Sequence, residues 1–435
     1  MSADDSFDLR FEWEAAPTVR AAELQATWAR LELWVGDECV TRVEDIESAS
    51  ARRSLYVSLY PLAEWLAYSW WFLKADHRPS SLPTRLWSFQ RARSQSWLDQ
   101  HNVRAAGDGY SWPDLTIVPE GNRTRLAWYR ENSPSSNRLI RFLSQGEALV
   151  NAEALERRLA DFVGTVLTRL IEQGVHNTRL AEEWTAIQGM DDEEAEFCLA
   201  AARLGVDPYV DDERLEQAIL ESAEELDGPV LADFLDAVDP ARIGSGLAWV
   251  RAATERAEMD HSASESALGT LRDAARFEGR ETRPWQIGWE QARRVRKSLG
   301  VPTADRVELD QVISTSVLRS QDHGLQGLGA VDGKASLVLG RAMVRESERF
   351  AQARALWHAL FEHDTGRFLI TSSHTDRQKV ERAFAAELLA PAEGIEKQLT
   401  VSPVEVEAED LDDAADRFAV SSLLIRHQID NQLVP

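Results

Sequence analysis

Two stretches decide how this chain is read: Arg354-Ala-Leu-Trp-His-Ala-Leu-Phe-Glu-His363 and Val380-Glu-Arg-Ala-Phe-Ala-Ala-Glu-Leu-Leu-Ala-Pro391. The first has helical spacing. His358 and Glu362 stand four residues apart, which puts them on one helix face. His363 comes one residue later, about 100° further round the helix. The second run is rich in alanine and stops at Pro391, which cannot continue a helix. The spacing predicts a pair of helices, the first carrying imidazole and carboxylate groups on one side.

Histidines at His-x-x-x-His spacing reach one zinc ion, and a glutamate beside the first of them activates a metal-bound water. The two runs resemble the paired helices of the ImmA/IrrE-type metallopeptidase family. In that family the first helix carries His-Glu-x-x-His, and the second carries a glutamate that completes the zinc site. The lead-in Arg349-Phe-Ala-Gln-Ala-Arg-Ala-Leu-Trp-His358 is similar to the family's Arg-Phe-x-x-Ala-x-x-Leu-x-His. The resemblance covers residues 281–435. It includes a hairpin expected over Leu325–Val331 and Ala335–Leu339, and the turn Phe418-Ala-Val-Ser421, which in the family packs on the core. Position by position, His358 stands at the first ligand, Ala359 at the glutamate base, Glu362 at the second histidine and Gln378 at the third ligand. The family's Ala-Asn pair is replaced by Glu381-Arg382. Of the four key positions only His358 matches.

Three functional readings follow. In the first the site is degenerate at His358, Ala359, Glu362 and Gln378, and no residue is assigned a catalytic role or a cofactor. The protein then binds a protein or peptide partner as a regulator, sensor or scaffold. By resemblance, such domains in bacteria accompany stress regulators, mobile elements and phage-defence loci. In the second reading His358, Glu362, His363 and His374 rearrange to hold zinc, Glu381 or Glu387 is recruited, and the chain is an endopeptidase that cuts a repressor. In the third the chemistry lies elsewhere, in the loop His101-Asn-Val-Arg-Ala-Ala-Gly-Asp-Gly-Tyr-Ser-Trp-Pro-Asp-Leu115. Gly107 and Gly109 allow unusual backbone there, and His101, Arg104, Asp108 and Asp114 could converge as a ligand-binding or catalytic group. The simpler reading of that loop is a tight turn into the strands Leu115–Val118 and Thr124–Trp128.

Composition limits the rest. The chain has 435 residues, enough for two or three domains. Its net charge of −25 disfavours nonspecific attraction to a nucleic-acid backbone. Arg85, Arg91, Arg93 and Arg104 do interleave with Trp87, Phe89 and Trp97, a pattern that can bind single strands but more often marks the two faces of one helix. Two distant cysteines, Cys39 and Cys198, exclude a cysteine-rich cluster and fit a reducing cytoplasm. Met1–Ser6 has no signal-peptide core, and Leu59–Leu73 is too short to span a membrane, so a cytoplasmic protein is expected. There is no Walker-type loop, no Gly-x-Ser-x-Gly and no Gly-x-Gly-x-x-Gly.

The fold expected is α+β and mostly helical. Residues 1–145 read as an aromatic-rich α/β-mixed domain, since they hold most of the 15 tryptophans. Residues 146–280 read as an all-helical domain, and residues 281–435 as a zincin-like domain of helices on a small sheet.

Overall fold

Phe7–Trp13 (β1) and Trp28–Val35 (β2) alternate apolar and polar residues and pair antiparallel, from Phe7 opposite Val35 to Trp13 opposite Ala29. The period of two turns Ala29, Leu31, Leu33 and Val35 inward, where all four are buried. Gly36, at φ 56°, makes the turn into the short return strand Glu38–Cys39 (β3). The computed structural model describes residues 6–16, 19–77, 95–131, 139–259, 268, 271–272, 283–332, 334–362, 366–373, 375–399, 402–404 and 406–434. The fold is α+β and mostly helical, as expected. Contacts group it into two compact units, Met1–Asp211 and Asp212–Pro435.

In the first unit Val43–Asp45 (β4), Ser50–Arg52 (β5) and Ile140–Phe142 (β9) form one small sheet. Leu55–Ser58 (β6) joins β2. Asp114–Glu120 (β7), Arg123–Tyr129 (β8) and Gly146–Asn151 (β10) form another sheet, with β8 central. The β7–β8 hairpin turns at Gly121-Asn122, where the sequence predicted it. Ala22–Ala26 (α1) precedes β2, and Pro61 sits in the first turn of Tyr60–Tyr68 (α2). With Trp70–Ala75 (α3), α2 buries Trp65, Trp70 and Trp71. Gln95–His101 (α4) carries Trp97 of the basic-aromatic pattern; residues 78–94, with Arg85, Trp87, Phe89, Arg91 and Arg93, lie outside the described residues.

The expected middle domain is shared between the units. Ala152–Glu172 (α5), Arg179–Gly189 (α6) and Asp192–Arg203 (α7) belong to the first. Leu155, Leu159, Phe162, Val163, Val166 and Leu170 of α5 enter the same core as the tryptophans of α2 and α3. The segment also opens on a strand, β10, and not on a helix, because Val150 and Ala148 are buried on the β8 sheet. Glu213–Glu225 (α8), Gly228–Ala237 (α9) and Ile243–Glu258 (α10) belong to the second unit.

The second unit is built on the sheet β11-β13-β12-β14, formed by Ile313–Val317 (β11), Leu325–Asp332 (β12), Lys334–Leu339 (β13) and Arg367–Thr371 (β14). The β12–β13 hairpin falls where the sequence predicted it. Helix Arg345–Phe361 (α12) packs on the sheet, its Leu356, Trp357 and Leu360 sharing a core with Leu337, Leu339, Phe368 and Ile370. Helix α10 packs on β12 and β13, and α9 packs on β14. Pro284–Leu299 (α11) closes at Gly300 in the left-handed region. It crosses Asp376–Leu389 (α13) at Gly288, where a Cβ would stand 2.3 Å from the Val380 carbonyl oxygen. Only glycine lets these two backbones come so close. Ala392–Glu396 (α14), Ala408–Phe418 (α15) and Ser422–Gln432 (α16) complete the unit. Fully buried Arg349 donates to the carbonyls of Ala419 and Phe418 and so ties the end of α15 to α12.

Candidate functional site: a charge network on the helix pair

Helix α12 ends at Phe361, and the Glu362 amide still closes a turn on the His358 carbonyl at 2.9 Å. The expected shared face is therefore real. His358 Nδ1 lies 2.7 Å from Glu362 Oε2. The opposite ring nitrogen, Nε2, lies 2.5 Å from Oε2 of Glu381 on α13. His358 and Glu381 are both buried. The ring stacks on Phe368 of β14 with centroids 4.5 Å apart and meets Trp357 edge-on. Phe368 can lie there because Gly329 of β12 leaves room: a Cβ at Gly329 would come within 2.0 Å of the Phe368 ring.

Arginines hold the carboxylates in place. Arg354, one turn before His358, donates through Nε to Glu381 Oε1 at 2.9 Å, and its Nη2 reaches the same oxygen. It also donates to the Thr371 carbonyl and to Gln326 Oε1, each at 2.8 Å. Arg377, at the start of α13, donates through Nε to both Glu362 oxygens at 2.8 Å and through Nη1 to Asp233 of α9. Its Nη2 reaches Glu362 Oε2 at 2.5 Å and lies 3.3 Å from His358 Nδ1.

The proton count on His358 follows from these partners. A carboxylate only accepts hydrogen bonds. Each ring nitrogen faces one, an arrangement that favours a proton on each and the imidazolium form. Burial alone would lower the His358 pKa, but the charges of Glu381 and Glu362 and their hydrogen bonds outweigh it and raise the pKa. Burial would likewise raise Glu381, yet Arg354 and His358 hold its carboxyl at about 2. Burial brings Arg377 down to about 10 against the pull of Glu381.

The donor set does not fit zinc. Glu362 and Glu381 sit on opposite edges of the imidazole, so no single ion could take His358 together with both carboxylates. Both ring nitrogens face carboxylates, which favours a proton over the lone pair a ligand would offer. Two guanidiniums flank the site, where a dication would add charge of the same sign. Among the described residues no three His, Cys, Asp or Glu side chains are grouped so as to hold a metal. His363 and His374 lie outside the described residues.

Gln378, at the position expected for a third ligand, is turned to other work. Its Oε1 accepts from the Thr375 amide at 3.1 Å and from the Thr375 hydroxyl, capping α13, and its Nε2 donates to Asp233. Ala359 is buried in the apolar core. The carboxylate that meets His358 comes from Glu381, one turn further on. Arg354, Arg377, Asp233 and Phe368 were not singled out from sequence. A polar stripe at 354, 358 and 362, facing one at 377 and 381, is the signal that could have found the two arginines.

The loop of the first unit does not gather its four candidates into one site. His101 is fully buried, its Nδ1 2.9 Å from the Ile117 carbonyl and its Nε2 3.0 Å from Asp76, stacked on Trp97. Both nitrogens face acceptors inside the core, which leaves none for a ligand. Asp114 accepts from Asn102 at 2.7 Å and pairs with Arg104 at 3.2 Å, while Arg104 also pairs with Glu131 at 2.7 Å. Asp108 is exposed, at φ 55° between Gly107 and Gly109. The hydrogen bonding is that of a structural turn. No helix among the described residues is long and apolar enough to cross a membrane. No protein-family model matches the chain, and no curated protein matches it.

Proposed function

We propose that the 212–435 unit is a metallopeptidase-like module without peptidase chemistry, and that it acts by binding a protein or peptide partner as a regulator, sensor or scaffold. The carrying observation is the double carboxylate clamp on His358. A protonated imidazole is neither a zinc ligand nor a general base. Ala359 offers no carboxylate at the position next to it. Strand addition is the mode of binding this reading favours: β11 pairs only with β13 among the described strands, and Val317 at its end is exposed.

The test combines elemental analysis of the unchelated protein with proteolysis of unfolded and peptide substrates, for the parent and His358→Ala. The reading expects no stoichiometric metal and no cleavage from either protein. About one zinc per chain and a cleavage activity, both lost in His358→Ala, would establish the zinc endopeptidase instead, with ligands beyond those described.

A further inference from the structure

Strand β1 forms one edge of its sheet, pairing with β2 and with no other strand among the described residues. Its register against β2 runs unbroken from Phe7 to Trp13. The Gly36 amide donates to the Ser6 carbonyl at 2.8 Å, and the Glu14 amide donates to the Trp28 carbonyl at 3.0 Å. Hydrogen-bonded positions recur at every second residue of an antiparallel pair, so Asp8, Arg10 and Glu12 are the residues bonded to β2. The amides and carbonyls of Phe7, Leu9, Phe11 and Trp13 therefore point along the open edge. None of them has a backbone partner among the described residues. Such edges are commonly blunted by proline, lysine or a bulge, and β1 has none of the three.

The side chains select what can pair there. Asp8, Arg10 and Glu12 share one face and alternate in sign, while Leu9, Phe11 and Trp13 on the other face are only partly buried against the core. Two copies of β1 related by a two-fold axis through Arg10 would set Arg10 against Arg10 and Asp8 against Glu12, like charge on like. An axis at Leu9 would set Arg10 against an Asp8 that its own chain's Arg10 already holds at 2.9 Å. An axis at Phe11 sets Arg10 of each copy opposite Glu12 of the other. Those are non-hydrogen-bonded positions, where facing side chains come closest. Glu12 pairs with Arg30 at 2.9 Å, yet its side chain stays 71% exposed, against 35% for Asp8. Phe11 then exchanges both backbone bonds with its copy, Leu9 does so with Trp13, and these side chains gain apolar neighbours. We propose that β1 is a self-association edge, at which two copies of this chain join antiparallel about Phe11 and continue one sheet across both. The inference is independent of the binding reading above, which concerns the second unit.

The experiment is sedimentation of the full chain over about a hundredfold range of concentration, with hydrogen exchange at both ends of the range. The parent is expected to pass from the mass of one chain toward that of two as concentration rises. The amides of Leu9, Phe11 and Trp13 are expected to become protected as it does so. Arg10→Glu and Glu12→Arg each set like charges opposite one another twice, and each is expected to weaken association about tenfold or more. Both residues are exposed, so the variants keep the fold. Combining Arg10→Glu with Glu12→Arg restores opposite charges about Phe11 and is expected to recover the parent's association. A parent of one-chain mass throughout, or association that leaves those three amides unprotected, overturns the proposal. So does a single variant that associates like the parent, or a double variant as weak as the single ones.

Discussion

Replacing Glu381 by glutamine removes one charge and almost no volume. It leaves the side chain of Arg354, 4% exposed, and buried His358 without their shared counter-ion. The carboxyl is held at about 2 against an ordinary 4.5. A difference of that size corresponds to about 3 kcal/mol of stability at neutral pH. Removing one partner of a buried ion pair costs about 3–5 kcal/mol by a separate route, so the two arguments agree in order of magnitude. Hydrogen exchange of α12 and α13 reads the effect locally, and about 3 kcal/mol corresponds to amides opening about a hundredfold more often. Arg354→Met combined with Glu381→Gln should cost less than the sum of the two single changes, because the second change removes the charge stranded by the first. Exchange in Glu381→Gln less than about fivefold faster than in the parent, or strictly additive costs in the double variant, would refute the clamp as a stabilising element.

Other consequences can be checked alongside. Gly329→Ala drives the Phe368 ring off His358 and should destabilise the second unit by about 1–3 kcal/mol, seen as a lower urea midpoint and a changed ring-current shift on the His358 protons. Glu381 is held low, so its contribution is present above about pH 4.5 and is lost as acid protonates it toward pH 2. His358 is held high, so its contribution is complete below about pH 6.5 and is lost as pH rises through its folded-state value. Urea midpoints across pH should therefore fall on the alkaline side in the parent, and His358→Gln should flatten that fall. In the first unit, Asp76→Asn leaves the buried His101 without its carboxylate acceptor and should cost about 1–3 kcal/mol in that unit alone, visible as faster exchange in α4 and β7.

The strands and helices of this chain were legible because their hydrophobic periods are clean. The alternation in β1 and β2, the β12–β13 hairpin and the paired helices α12 and α13 all lie where the pattern places them. Which core a helix joins was not legible. The apolar stripes of α5 and α8 say that each buries one face, not against what. His358 and Glu362 could be paired from spacing alone. Gln378 could not be placed by resemblance, although Thr375-Asp-Arg-Gln378 carries the signature of a capping box, which ties that side chain to the end of its own helix. Asp233 reaches the site from an element 144 residues away from Arg377, a contact no local pattern encodes. His101 was misleading for the same reason, since its partners Asp76 and Ile117 meet it only once the core is assembled.

The central claim is that His358 is an imidazolium fixed between two carboxylates. Nitrogen-15 resonance of the His358 ring at neutral pH, repeated after one equivalent of zinc, tests it most directly. Two protonated ring nitrogens, unchanged by the metal, are the predicted result. A ring nitrogen without a proton, or one that shifts stoichiometrically with zinc, would contradict the claim and return His358 to the role of a ligand.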